Sequence, residues 1–155
     1  MNPQVVKKVG LAVLVVVLQI VFFRHLKIFE IQPDVILIFL LWYMSQSSRT
    51  AAILMAAFLG FAQDALLDLW GLNMFAKVFL TFIGHGWISG NMDLRTPVPR
   101  VLTVVLFAAI VHNLIFVILS LAVEPYTAEI FFWRQWIGSA IYTTTIAGII
   151  QLFRS

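Results

Sequence analysis

Two carboxylates four residues apart, Asp64 and Asp68, and an ammonium at Lys77 interrupt a stretch that is otherwise apolar. On a helix that spacing puts both carboxylates on one face, and two such groups can serve as general acid and general base. No nucleophile or metal-ligand pattern accompanies them, so a structural role is the stronger expectation. Trp70-Gly71 is the natural break between two helices, with Asp64 six residues before the tryptophan and Lys77 six beyond the glycine. Folded back as an antiparallel pair, these helices would bring Asp64 and Lys77 to one depth, roughly 9 Å from the turn at ~1.5 Å per residue. Asp64 is therefore expected to pair with Lys77, and Asp68 to lie near an interface. Charged groups in a membrane helix cost ~2.5–3.5 kcal/mol each on insertion scales, so they face protein, a partner or water.

The other chemistry-bearing residues point the same way. His25, His85 and His112 are widely spaced, without an HxxxH pair or a carboxylate companion in sequence, and no metal site is expected from them. His112-Asn113 fit interior hydrogen-bonding groups. There is no Gly-rich phosphate loop, nucleotide motif or serine-hydrolase elbow, and no cofactor is expected. The chain has no cysteine, which excludes disulfides and thiolate metal sites.

Composition states what must hold these residues. Of 155 residues, 62% are hydrophobic and 11% charged, with mean hydropathy +1.00. That excludes a soluble globular domain and leaves room for about six spans of ~20 residues with short loops. The expected fold is all-α, a single integral-membrane helical domain over 1–155. A net charge of +3 could suggest nucleic acid, but the cations are dispersed at helix ends, where they orient a membrane protein; no nucleic-acid partner is expected.

The expected helices follow in order. Val5 to Phe23 reads as a retained anchor helix, since RHLK after it offers no cleavage site; its Gln19 reads as a helix–helix hydrogen bond. Residues 24–34 read as a short interfacial segment, with Pro33 and Asp34 suited to starting the next helix. Val35 to about Ser47 is too short to span comfortably. Ser48 to Leu69 carries Ala52, Ala56, Gly60, Asp64 and Asp68 on one face, small and then acidic. Small residues let another backbone approach closely. Leu72 to Ser89 carries Asn73, Lys77, Thr81, His85 and Ser89 in register, a fully polar seam, and Gly84, Gly86 and Gly90 permit close contact or a kink near its end. Pro97 and Pro99 forbid a helix through 90–100, so the fifth helix is expected over Val101 to Val123. The last starts near Phe131 or Trp133, with an aromatic belt there, and its stripe is Gln135, Ser139, Thr143, Ala147 and Gln151.

With six spans, one side holds Lys7, Lys8, Arg49, Arg95, Arg100 and Arg154, and the other Arg24, Lys27 and Arg134. Six against three puts both termini in the cytoplasm.

Three segments, PDVILIFLLWY at 33–43, FLGFAQD at 58–64 and GLNMFAKVFLTFIG at 71–84, resemble the rod-shape-determining protein MreD family. Length, hydropathy and short loops are similar from end to end, and Gly60 and Asp64 match the family pattern. The resemblance implies a fold similar to the substrate-binding subunits of energy-coupling-factor transporters. It also implies a bacterial inner-membrane scaffold of the cell-elongation, peptidoglycan-synthesis machinery, without catalytic activity. Its implied partners are an MreC-like bitopic membrane protein and, directly or through it, the MreB filament and wall-synthesis enzymes, besides membrane lipid. The residues expected to bind a partner or form the intramembrane polar seam are Ala56, Gly60, Asp64, Asp68, Asn73, Lys77, Thr81, His85, His112 and Asn113. A small-molecule substrate-binding subunit of a transporter is the alternative, and an intramembrane enzyme a third class.

Overall fold

A computed structural model describes residues 3–26, 31–69, 71–92, 96–123 and 134–154, with backbone alone at 134, 135 and 154. Regular structure in these residues is helical throughout. The helices are α1 (Pro3–Leu18), α2 (Val35–Ser45), α3 (Arg49–Leu67), α4 (Leu72–Asn91), α5 (Val98–Val123) and α6 (Ser139–Arg154). A π-helical turn, Gln19–Phe23, continues α1, and a second, Arg134–Gly138, leads into α6. Among the described residues, four stretches are long and apolar enough to cross a membrane: Pro3–Phe23, Arg49–Leu67, Val98–Val123 and Trp136–Phe153. Successive helices reverse direction, so the start of α1 and the end of α6 lie at one end of the bundle, the terminal end.

The hub is α2. Its 11 residues measure about 16 Å, half the ~30 Å hydrocarbon thickness of a bilayer. Ile36, Leu37, Leu40, Leu41 and Met44 are completely covered, and α1, α3, α4, α5 and α6 all touch it. A helix apolar all round is buried all round. It stops at Ser45, two residues short of the sequence expectation. Ser45 Oγ donates to the Trp42 carbonyl at 2.7 Å and Ser47 Oγ to the Tyr43 carbonyl at 2.6 Å, so the serines close the helix instead of extending it. Ser48 then caps α3, its Oγ accepting from Ala51 N at 3.4 Å.

The most extensive helix pair is α3–α4. Its tight turn uses left-handed backbone at Asp68 (φ 57) and Gly71 (φ 87). Gly60 sets the approach, because a Cβ there would come within 2.6 Å of Met74 N and 2.9 Å of the Asn73 carbonyl. Ala52 and Ala56 are likewise fully covered. The small face of α3 is thus used inside the chain, and the expectation that Ala56 and Gly60 are open to a partner helix is corrected. The glycines late in α4 make no such contact: a Cβ at Gly86 or Gly90 meets nothing, and α4 runs unbroken to Asn91.

Two other boundaries shift. α5 starts at Val98, so Pro99 sits in its first turn, where a missing N–H costs nothing. The interfacial segment expected over 24–34 is not what its last residues form. Residues 27–30 lie outside the described set, but Ile31 to Asp34 enter the bundle as non-helical chain, with Pro33 and Asp34 buried. Most of the expected aromatic belt, residues 131–133, also lies outside it. Trp136 is half-buried, and its indole donates to the Ile110 carbonyl at 3.0 Å.

Candidate functional site

Non-helical backbone inside a membrane-type bundle is tolerable only if other groups satisfy it. Helices α1 and α6 supply those groups to residues 31–34. The Gln19 amide donates to the Pro33 carbonyl at 2.8 Å and accepts from Val35 N at 2.7 Å. Ser139 Oγ donates to the Gln32 carbonyl at 3.0 Å, and Thr143 Oγ1 accepts from Asp34 N at 3.0 Å. The polar members of two helical stripes are therefore used on one non-helical strand of chain. Gln19 bonds to backbone ends, not to a neighbouring helix side chain.

At the end of that strand Asp34 caps α2, its Oδ1 accepting from Leu37 N at 2.9 Å. Its other oxygen takes Lys77 Nζ at 2.8 Å in the ion pair at the centre of the molecule. Lys77 is completely buried. Its ammonium also donates to Gln63 Oε1 at 2.8 Å and lies 3.5 Å from His112 Nε2. An ammonium has donors only, so Nε2 is the acceptor and the imidazole proton sits on Nδ1, which donates to Asn113 Oδ1 at 3.2 Å. Asn113 Nδ2 continues to the Trp136 carbonyl at 3.1 Å. All three ammonium hydrogens are thus directed at acceptors from α2's cap, α3 and α5.

Asp64 does not pair with Lys77, contrary to the sequence expectation. Its Oδ1 accepts from Asn73 N and Asn73 Nδ2, both at 3.0 Å, and its Oδ2 from Met74 N at 2.8 Å. The reason is local. Gly71 occupies the N-cap of α4 and has no side chain to offer, so the orphan donors of the first turn recruit a carboxylate from the facing helix. The depth argument holds, since the residue opposite Lys77 is Gln63, next to Asp64. Asp68 is exposed at the end of α3.

The remaining seam residues divide. Thr81 is buried, bonding the Lys77 carbonyl at 2.8 Å and facing Met44 Sδ at 3.8 Å. His85 Nε2 lies 3.0 Å from the Ser47 carbonyl, away from the network. Ser89 bonds only its own helix, at the Gly86 carbonyl, 3.3 Å. The three histidines do not converge, with His25 Nδ1 2.7 Å from the Val21 carbonyl. Among the described residues no group of three or more His, Asp or Glu is placed to hold a metal ion, and no buried side-chain nitrogen or oxygen lacks a partner.

Asp34 and Gln63 are the network members that sequence reasoning missed as a site. Asp34 carried a signal, an acid before a wholly apolar helix, but it suits a cap equally well. Gln63 carried none. Beside the network lies a cavity of about 140 Å³, lined by Gln19, Gln32, Asp34, Gln63, Asn73, His112, Asn113 and Ser139, with Leu67, Leu69 and Phe116 among its apolar walls. That is room for several water molecules among polar partners. The arrangement fixes one charged pair and several amides in place; it presents no activated nucleophile. Comparison of the chain with protein-family models, with curated proteins and with solved structures finds no match.

Proposed function

We propose that the chain is a non-catalytic membrane scaffold of the bacterial cell-elongation machinery, similar to MreD. It crosses the inner membrane six times with both termini in the cytoplasm, and its fold is similar to the substrate-binding subunits of energy-coupling-factor transporters. It binds an MreC-like bitopic protein, and through it the MreB filament and wall-synthesis enzymes. One observation carries the reading. The three segments that resemble MreD meet in space: Asp34 from the first, Gln63 from the second and Lys77 from the third form one buried cluster, and Asp64 of the second with Asn73 of the third forms another beside it. Residues spent on a fully satisfied internal network favour a rigid scaffold over a reaction centre. Partner contacts then fall on exposed faces, since Ala56 and Gly60 are covered by the chain itself.

Affinity purification of the tagged chain from a rod-shaped bacterium should bring down an MreC-like bitopic protein, and depletion should round the cells. Rod-shaped depleted cells and no such partner would overturn the reading.

A second reading rests on the polar cavity beside Asp34 and His112. A transporter subunit would bind a small polar molecule there, and the ligand would raise the unfolding temperature, by about 2.7 kcal/mol of stabilisation at 100-fold Kd.

A further inference from the structure

Away from the polar network, the bundle carries a groove of about 510 Å³. Its floor is α2, with Val35, Ile38, Phe39 and Trp42 running down to Gln46. One wall is α1, through Leu11 and Val15; the other is α5 and α6, through Val105, Ala147 and Ile150. The floor is mostly buried, while Leu11 and Ile150 on opposite rims are 41% and 44% exposed, so the groove opens between them.

Both walls change character in the same order along the bundle. On α1, Lys8, Leu11, Val15 and Gln19 share a face by their three- and four-residue spacings. On α6 the matching stripe is Arg154, then Ile150 and Gln151, then Ala147 and Thr143. Each wall reads cation at the terminal end, apolar lining, then a polar residue that satisfies the backbone at 33–35. The ammonium of Lys8 stands 5.2 Å from the Tyr43 ring centroid, level with the last turn of α2, and Arg154 holds the corresponding register position on α6. The apolar length from Val35 to Gln46 is about 16 Å at ~1.5 Å per residue. That is one leaflet of a ~30 Å hydrocarbon core, and half of what a transmembrane partner helix would cover.

We propose that this groove binds an anionic phospholipid of the leaflet at the terminal end, one acyl chain along α2 and the phosphate at the Lys8 ammonium, at the end of the groove where the backbone of α6 places Arg154. Length selects an acyl chain over a helix, because the apolar lining ends where Gln19, Pro33 and Thr143 begin. Charge selects an anionic headgroup, because each wall ends on a cation. The inference needs the chain in a membrane; it does not need the scaffold reading, and a purified protein tests it without any partner.

The test is native mass spectrometry of the detergent-purified full chain after incubation with phosphatidylglycerol or phosphatidylcholine. The wild type should retain phosphatidylglycerol about tenfold or more over phosphatidylcholine, the effect of one to two basic residues beside an anionic headgroup. Lys8→Gln with Arg154→Gln should bring the two lipids level. Leu11→Trp, on an exposed rim and so compatible with folding, should lower retention of both while circular dichroism stays unchanged. Equal retention of the two lipids by the wild type would overturn the proposal. So would undiminished phosphatidylglycerol selectivity in the double variant, or a photocrosslinker at Ile150 that in native membranes attaches to a protein helix and no lipid.

Discussion

Lys77 is buried completely, and among the described residues its charge is balanced by Asp34, with Gln63 and His112 completing its contacts. Removing one member of a buried pair leaves an uncompensated charge, a loss of about 3–5 kcal/mol. Lys77→Met and Asp34→Asn should each destabilise to that degree, Asn being chosen because it still caps α2. The double variant should cost less than the sum by at least ~1 kcal/mol. Denaturant unfolding in micelles measures the cycle, and strict additivity would rule out the pair. The same cycle between Asp64 and Lys77 should return the smaller coupling. Asp64→Ala on its own should cost about 1–2 kcal/mol, the upper range for a lost cap, and Asp64→Asn less, because one amide oxygen still accepts from the first turn of α4.

At the scale of elements, two contacts decide how helices meet. A methyl at Gly60 collides with the backbone of α4, so Gly60→Ala should destabilise by about 1–3 kcal/mol through overpacking. Phe61→Leu next to it, on a 63% exposed side chain, should stay within ~0.5 kcal/mol. Thermal unfolding of the two variants side by side separates close approach from general apolar loss. The non-helical entry into α2 offers the second case. Ser139→Ala would leave the Gln32 carbonyl without its hydroxyl donor, and Thr143→Val would orphan Asp34 N. Each should cost about 1–3 kcal/mol. Hydrogen exchange at Asp34 N should accelerate in Thr143→Val, and unchanged protection there would refute the assigned bond.

For the whole molecule, the absence of cysteine allows a clean topology experiment. Gln4→Cys and Ser48→Cys belong to the terminal end, Asp68→Cys to the opposite one. If the proposed topology of six crossings with cytoplasmic termini holds, a membrane-impermeant maleimide should label only the last of these in right-side-out vesicles, and labelling at both ends of the bundle would contradict that proposal. Helix existence was legible along almost the entire chain, because apolar runs of helical length have few other solutions in a bilayer. Helix ends were less so. The serines after Met44 read as the tail of a helix running to about Ser47, whereas the hydroxyls of Ser45 and Ser47 bond carbonyls within reach and α2 ends at Ser45.

The residues Asp64, Asn73, Lys77, His112 and Asn113 were recognisable from sequence as interior polar groups, because ionisable and amide side chains in apolar helices must be sheltered. Register even set Lys77 opposite the right turn of α3. The partner was a different matter. Whether Lys77 reached Asp64 or Asp34 depended on a glycine N-cap that left α4 in need of a carboxylate, and on a segment 43 residues away entering the bundle as non-helical chain. Spacing along a helix fixes which face a group occupies. Which of two acids stands at hydrogen-bonding distance from it is a property of three dimensions, settled by the backbone donors that each acid must also satisfy.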